Sequence, residues 1–270
     1  MRSKLHAIAQ TFVREVGRRL GKRVVRVASR KRLKHVERVI APTHKVEDAL
    51  RDYGLHNPIE VIPSGISLEQ HRHIITAETR QCRRRELGIS DEDLVLLNLG
   101  RLGTEKNLEE LVRYFSKAAE KYEHIKFLIV GDGPARKQLE KLSRELELED
   151  RVIFTGMVEP GRVQEYYQLG DLFVSASTSE TQGLTYIEAC ANGLPLLCRA
   201  DPCLADVLRE GENGYSYTDE EGFLQAVDAV MADPRWRQGA SERSRQIADT
   251  FDKHAFGHNV EELYEEVLQK

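Results

Sequence analysis

From residue 94 onward, short apolar runs alternate with stretches of helical periodicity. "LVLLNLG" (94–100) precedes "LEELVRYFSKAAEKY" (108–122), and "IKFLIVG" (125–131) precedes "ARKQLEKLSREL" (135–146). "RVIFTG" (151–156), "VQEYYQLG" (163–170), "DLFVSAS" (171–177), "LTYIEACANG" (184–193) and "LPLLC" (194–198) continue the alternation. Continuous apolar runs of this length predict strands buried on both faces, and their alternation with helices predicts an α/β, doubly wound parallel sheet. Residues 223–270, ending in "NVEELYEEVLQK", read as a helical tail.

Before residue 94 the pattern changes. "VERVIAP" (36–42) predicts a strand and "KVEDALRDYG" (45–54) a helix closed by Gly54. "IEVIPSGI" (59–66) predicts a strand running into a turn, and residues 67–92 a polar connector around a short basic helix. Residues 1 to about 60 are too few to bury a core of their own.

Composition adds little: 40% of residues are hydrophobic and 31% charged, as in ordinary globular proteins. No apolar run reaches the roughly 20 residues that span a bilayer, and the first residues lack the apolar core of a secretory signal. Cys82, Cys190, Cys198 and Cys203 form no CxxC pair and read as small thiols in a reducing cytoplasm, three of them in buried segments. Charge is more telling. Residues 1–38 hold 13 Lys/Arg against Glu15 and Glu37, a net +11 in a chain of formal charge −4, which leaves −15 elsewhere. Such a block attracts phosphates on lipid or nucleic acid, or it is a solvated helix face. No aromatic residues interleave with it as nucleic-acid binding would favour.

In open parallel sheets ligands bind beyond the carboxyl ends of the strands. The first candidate end is "NLGRLGTEKNLEEL", where Gly100 closes a strand, Arg101 and Lys106 follow, and Asn107 is placed to cap the next helix. Two cations at a glycine turn suit an anion, or are simply exposed; the spacing is not that of a Walker loop. The second is "VGDGPARKQLE". Its GxG lacks the third glycine of a dinucleotide fingerprint, since Arg136 stands there, and Pro134 is expected to open the helix.

The third end is "SETQGLTYIEACANGLPLL" (179–197). A helix opening near Leu184 leaves the N–H groups of Gly183, Leu184 and Thr185 free to meet a phosphate. Glu180 in the loop can accept from hydroxyls. Glu188 lies inside an otherwise apolar helix and needs donors. Either a polyol such as ribose, or an arginine or backbone N–H, meets that need.

Together these residues resemble a known family. Glu180 and Glu188 are spaced E-x7-E, "GRLGTEKN" lies upstream, "VIFTGMV" comes between, and "VIAPTHKVEDALRDYG" and "IEVIPSGI" precede them. Over residues 36–270 the chain resembles the retaining glycosyltransferases of family 4, with a two-domain GT-B fold of Rossmann-like halves. The resemblance implies that Arg101 and Lys106 bind the donor diphosphate and that Gly100 lies at their turn. It implies that Gly156 and Val158 line the base, that Gly183, Leu184 and Thr185 form the phosphate turn, that Glu180 contacts the donor sugar and that Glu188 holds the ribose. It implies no metal and no cofactor, with a nucleotide sugar, UDP-glucose, as donor substrate. The wording "SETQGLTYIEA" is most similar to bacterial enzymes that glucosylate diacylglycerol, where commoner relatives carry Phe-Gly in place of Thr181–Gly183. Those enzymes are peripheral at the inner face of the membrane, a habit that the basic residues 1–38 fit.

The family's acceptor domain needs well over a hundred residues before "VERVIAP", and only 35 stand here. The expectation is therefore a donor-binding domain over 67–255 and a C-terminal helix over 256–270. Residues 1–66 would be a basic segment with the last strand and helix of a truncated acceptor domain. Two other readings remain open: a GT-B sugar-nucleotide epimerase, and a non-catalytic module that docks on lipid or nucleotide. His254 and His258 are at helical spacing with no third ligand signal and read as surface residues.

Overall fold

A computed structural model describes Gly21 and residues 23–269. The other residues of the basic 1–38 block lie outside the described residues, so the lipid-facing role expected of it is addressed only in part. The chain divides into two compact units, one of residues up to Pro63 together with Asn259 onward, the other Ser64–His258.

In the first unit, helix α1 covers 23–33. Strands β1 (Val39–Ala41) and β2 (Ile59–Val61) pair in parallel, Val39 opposite Ile59 and Ala41 opposite Val61. Helix α2 (His44–Asp52) connects them. Its first turn is capped by Thr43, whose hydroxyl accepts from the Val46 N–H at 3.4 Å. Gly54 lies just beyond the helix in the left-handed region, at φ 81°.

The second unit is built on a six-stranded parallel sheet. Its strands are β3 (Leu94–Leu99), β4 (Ile125–Val130), β5 (Val152–Gly156), β6 (Leu172–Ser175), β7 (Leu196–Arg199) and β8 (Gly214–Tyr217), in spatial order β5-β4-β3-β6-β7-β8. The chain starts at β3 in the middle, builds outward through β4 to β5, then returns to the other side of β3 and builds outward again. That reversal opens a crevice between the carboxyl ends of β3 and β6.

Helices cover both faces. Successive strand residues point alternately into two cores: Leu94 and Leu96 into one and Val95 and Leu97 into the other, with Phe127 and Ile129 likewise opposed to Leu128 and Val130. The first core is closed by α5 (Leu108–Lys121), α6 (Arg136–Glu145) and α9 (Glu220–Ala232), through Phe115, Leu139 and Val227. The second takes α8 (Leu184–Ala191) and α10 (Pro234–Asp249), through Ile187 and Ala248. Each Leu or Ile so buried contributes about 1.5–3 kcal/mol, which explains why these strands read as unbroken apolar runs. The Rossmann-like doubly wound sheet is therefore the fold. Short helices α3 (Leu68–His71), α4 (Ala77–Glu86) and α7 (Val163–Tyr167) fill the connections, and α11 (Lys253–Leu268) ends the described chain.

Several details differ from expectation. Strand β8 was not foreseen; its sequence, "GYSY", is short and half polar because it is an edge strand with two partly exposed positions. Helix α9 begins at Glu220, capped by Asp219, rather than at 223. Helix α6 begins at Arg136, two residues after Pro134. Asn107 precedes α5 in a left-handed conformation, and its amide donates to the Glu110 carboxylate (2.9 Å) instead of capping backbone N–H groups. Cys190, Cys198 and Cys203 are buried and Cys82 is exposed.

Candidate donor-nucleotide site

The carboxyl ends of β3, β4 and β5 form a floor of bare backbone. The Gly100 N–H donates to the Val130 carbonyl and the Gly131 N–H to the Gly156 carbonyl, each at 3.0 Å. Gly156 sits at φ 74°, and a β-carbon there would run into the Arg136 guanidinium. That guanidinium is held by Asp132 (2.8 Å) and Glu140 (2.7 Å), so it stands as a fixed wall beside the turn. Val158, two residues on, is half-buried against the apolar core.

Across the crevice, the loop after β3 meets the loop after β6. Lys106, at the end of a single 3₁₀ turn (Thr104–Lys106), forms an ion pair with Glu180. Ser179 reinforces the junction, its hydroxyl donating to the Glu105 carbonyl at 3.4 Å. Arg101 is turned outward and paired with Glu105, with 63% of its side chain exposed. Of the two expected cations, therefore, only Lys106 reaches the acid loop.

Gly183 precedes α8 at φ 71°, a left-handed conformation that a β-carbon resists, and the space a β-carbon would take is filled by the Tyr186 ring. Tyr186 is itself fixed, its hydroxyl 3.0 Å from that of Ser175 on β6. Leu184 and Thr185 begin the helix, and their N–H groups have no carbonyl one turn back to receive them. Gln182, buried just before them, grips the chain at Ser64: its carbonyl accepts from the Ser64 N–H at 3.0 Å and its amide donates to the Ser64 carbonyl at 2.9 Å.

Glu188 lies one turn inside α8. The protein partner of Glu188 is neither an arginine nor a backbone N–H but a hydroxyl: Tyr167 donates to its carboxylate at 2.7 Å. Burial pushes the Glu188 carboxyl above the usual range, and the Tyr167 bond only partly offsets this. One oxygen thus has a fixed donor while the carboxylate keeps capacity for another. Tyr167 and Glu105, the partners of Glu188 and Arg101, were not foreseen. Nothing in local sequence marks Tyr167, since its contact with Glu188 spans 21 residues and depends on strand order.

The loops after β3 and β6 bring together a cation and a carboxylate, Lys106 and Glu180, beside the N-terminus of α8, and Glu188 lies one turn inside that helix. Such a set fits a phosphate ester carrying hydroxyl groups at both ends. Among the described residues no group of three or more His, Cys, Asp or Glu could hold a metal ion.

Comparison with known proteins points the same way. Residues 79–247 match the family described as "Glycosyl transferases group 1", and residues 5–70 match "Glycosyltransferase Family 4". The chain is 36% identical over 235 residues to the alpha-monoglucosyldiacylglycerol synthase of Streptococcus pneumoniae, covering 86% of this chain and 52% of that protein. It is 30% identical over 238 residues to the enzyme of the same name from Acholeplasma laidlawii, covering 88% and 60%. The chain thus spans little more than half the length of these curated relatives. Among solved structures, Anabaena HepE in complex with UDP and glucose superposes with a TM-score of 0.81 at 18% identity, over 90% of this chain and 67% of that one, a likeness of fold. The chain belongs to the group 1 glycosyl transferases.

Proposed function

We propose that this chain is the donor-binding part of a retaining glycosyltransferase that moves glucose from UDP-glucose to a lipid hydroxyl such as that of diacylglycerol. The observation that carries this reading is the Lys106–Glu180 ion pair across the crevice, with Glu188 one turn inside the helix that follows. In this reading 67–255 is the donor domain, 256–270 its C-terminal helix, and 1–66 the last part of an acceptor domain. HepE binds UDP and glucose, and the two synthases are named for glucosyl-diacylglycerol, which supports the choice of donor and acceptor class.

The residues then divide the ligand between them. Glu188 accepts from the ribose hydroxyls, on the oxygen capacity that Tyr167 leaves. Gly156 and Val158 line the base, and the backbone at Gly100 lets the nucleotide lie close. Lys106, Arg101 and the N–H groups of Gly183, Leu184 and Thr185 hold the diphosphate, and Glu180 orients the hexose hydroxyls. As the bond from the anomeric carbon to the diphosphate breaks, negative charge grows on the leaving oxygen, and Lys106 with the α8 N–H groups would stabilise it; Arg101, paired with Glu105, would first have to turn inward. Such preorganised stabilisation is commonly worth several kcal/mol. The acceptor oxygen then bonds to the same face of the sugar while its proton passes to the leaving phosphate oxygen, giving retention. A peripheral position at the inner face of the membrane accords with α1. There Val24, Val25 and Val27 are exposed among arginines, and among the described residues no helix is long and apolar enough to cross a bilayer.

The test is calorimetry with UDP, UDP-glucose, GDP-glucose and ADP-glucose, followed by Glu188→Ala. Preferential binding of the uridine ligands, lost in the variant, is expected. No nucleotide binding, or an unaffected variant, would overturn the reading.

A further inference from the structure

A second cavity, of about 490 Å³, opens at the other edge of the same sheet. Its walls include Gly170 and Asp171, which precede β6, and Pro195, which precedes β7, so it lies at the amino ends of the strands. Four arginines line it, Arg72, Arg80, Arg237 and Arg245, against a single carboxylate, Asp171. That carboxylate is already committed, with Arg80 at 2.8 Å, Arg84 at 3.4 Å and the Val95 N–H at 2.8 Å. Arg72 is held by Asp249 outside the cavity, at 2.8 Å. His71 brings no fixed charge, because burial pushes its pKa down.

Arg237 and Arg245 are left over. Among the described residues neither makes an ion pair. They sit eight residues apart on α10 with Ser241 midway, so the three share one face of the helix. Arg245 donates to the Ser241 hydroxyl oxygen at 2.9 Å, which leaves the hydroxyl proton for another acceptor. A structural reason exists for Arg245 alone: its guanidinium lies against Gly193, just past the carbonyl end of α8, where a cation is favoured. No such reason holds for Arg237. Two guanidinium groups without ion-pair partners on one concave wall make it a positively charged surface that attracts an anion.

We propose that this cavity binds a small phosphate-bearing molecule, gripped by Arg237 and Arg245 with help from Ser241. Guanidinium groups match phosphate oxygens in pairs, and the volume is enough for an ester as well as for inorganic phosphate. A soluble phosphate ester and a phospholipid headgroup present the same chemistry here.

The test titrates the purified chain with inorganic phosphate and with glycerol 3-phosphate by calorimetry, and co-sediments it with phosphatidylglycerol vesicles. Each is done at fixed ionic strength, with chloride as control anion and UDP present to occupy the opposite edge of the sheet. In the double variant R237Q/R245Q, affinity is expected to fall roughly tenfold or more, the loss of one or two charge-assisted bonds. Both side chains are at least partly exposed, so the variant should fold, and an unchanged melting temperature checks this. Glycerol 3-phosphate binding that is lost in the variant supports a soluble ester. Binding to vesicles alone, lost in the variant, supports a headgroup. No binding of any probe to the natural chain, or binding of the soluble phosphates and of vesicles that R237Q/R245Q leaves unchanged, overturns the proposal; vesicle binding is compared as the difference between the two chains, since the basic residues 1–38 are common to both.

Discussion

Lys106 and Glu180 form an ion pair that joins the loop after β3 to the loop after β6, bridging the point where the strand order reverses. Both side chains are mostly shielded, with 31% and 17% of their surface exposed. On the proposed reading, a diphosphate entering the crevice would compete with Glu180 for the ammonium, and hexose hydroxyls would then replace Lys106 at the carboxylate. Glu180→Gln should therefore leave UDP affinity intact or slightly raised, while the preference for UDP-glucose over UDP falls. Calorimetry with both ligands measures the ratio. An equal loss for the two would show that Glu180 serves the nucleotide, not the sugar.

Lys106→Ala removes the cation from the same pair. UDP affinity should fall about tenfold to a hundredfold, the range of one charge-assisted hydrogen bond. The loss should shrink as salt is raised, because part of the attraction is screened. Arg101→Ala should cost less, since Arg101 is exposed and already paired with Glu105.

The contrast between these two cations marks the limit of what the sequence carries. Strands β3 to β7 were legible because each is buried on both faces and shows it as an apolar run. Gly54 and the acids of the E-x7-E spacing were legible because a turn or an isolated charge in an apolar helix is a local signal. Strand β8 was not, because an edge strand has no need of a continuous apolar run. The pairing of Lys106 with Glu180, of Arg101 with Glu105 and of Tyr167 with Glu188 was hidden for a different reason. Side-chain partners depend on strand order and rotamers, neither of which periodicity encodes. Gln182 stands between these cases: its position was noted as unusual, but its bonds to Ser64 cross 118 residues.

Those bonds make Gln182 a stability prediction. Gln182→Ala removes an acceptor for the Ser64 N–H and a donor for its carbonyl in a buried place, and should destabilise by about 1–3 kcal/mol. Chemical denaturation measures it. UDP affinity should fall by a similar factor at low temperature only if the loop also loses its shape, so the two readouts separate packing from binding.

Glu188 gives a pH prediction. Burial holds its carboxyl above the ordinary value of 4.5, so the folded chain holds this proton more tightly than the unfolded chain does. Stability from this group is therefore greatest at acid pH, declines as pH rises above the unfolded value, and stays low above the raised folded value. If Glu188 holds the ribose as proposed, binding should run the other way, because the ionised carboxylate is the better acceptor for hydroxyls. Glu188→Gln keeps an acceptor for Tyr167 and should melt at or above the natural chain at neutral pH, yet bind UDP more weakly. Thermal melts and UDP titrations between pH 5 and 8, on the order of the physiological range, test both signs. A variant that loses stability at neutral pH would place Glu188 among structural residues.

Gly183→Ala tests the helix terminus itself. At φ 71° an alanine pays roughly 1–2 kcal/mol for its left-handed backbone. Its methyl would also enter the space of the Tyr186 ring, which cannot step aside while its hydroxyl is held at Ser175. The first turn of α8 must then shift, and with it the N–H groups of Leu184 and Thr185. The melting temperature should fall by roughly 2–8 °C for a domain of this size, and the UDP-induced rise in melting temperature should shrink as well. Gly161→Ala is the control: nothing lies within 4 Å of a β-carbon there and its φ is not left-handed, so both readouts should stay unchanged. If Gly183→Ala lowers the melting temperature but leaves the UDP-induced rise intact, the N-terminus of α8 is not where the phosphate sits.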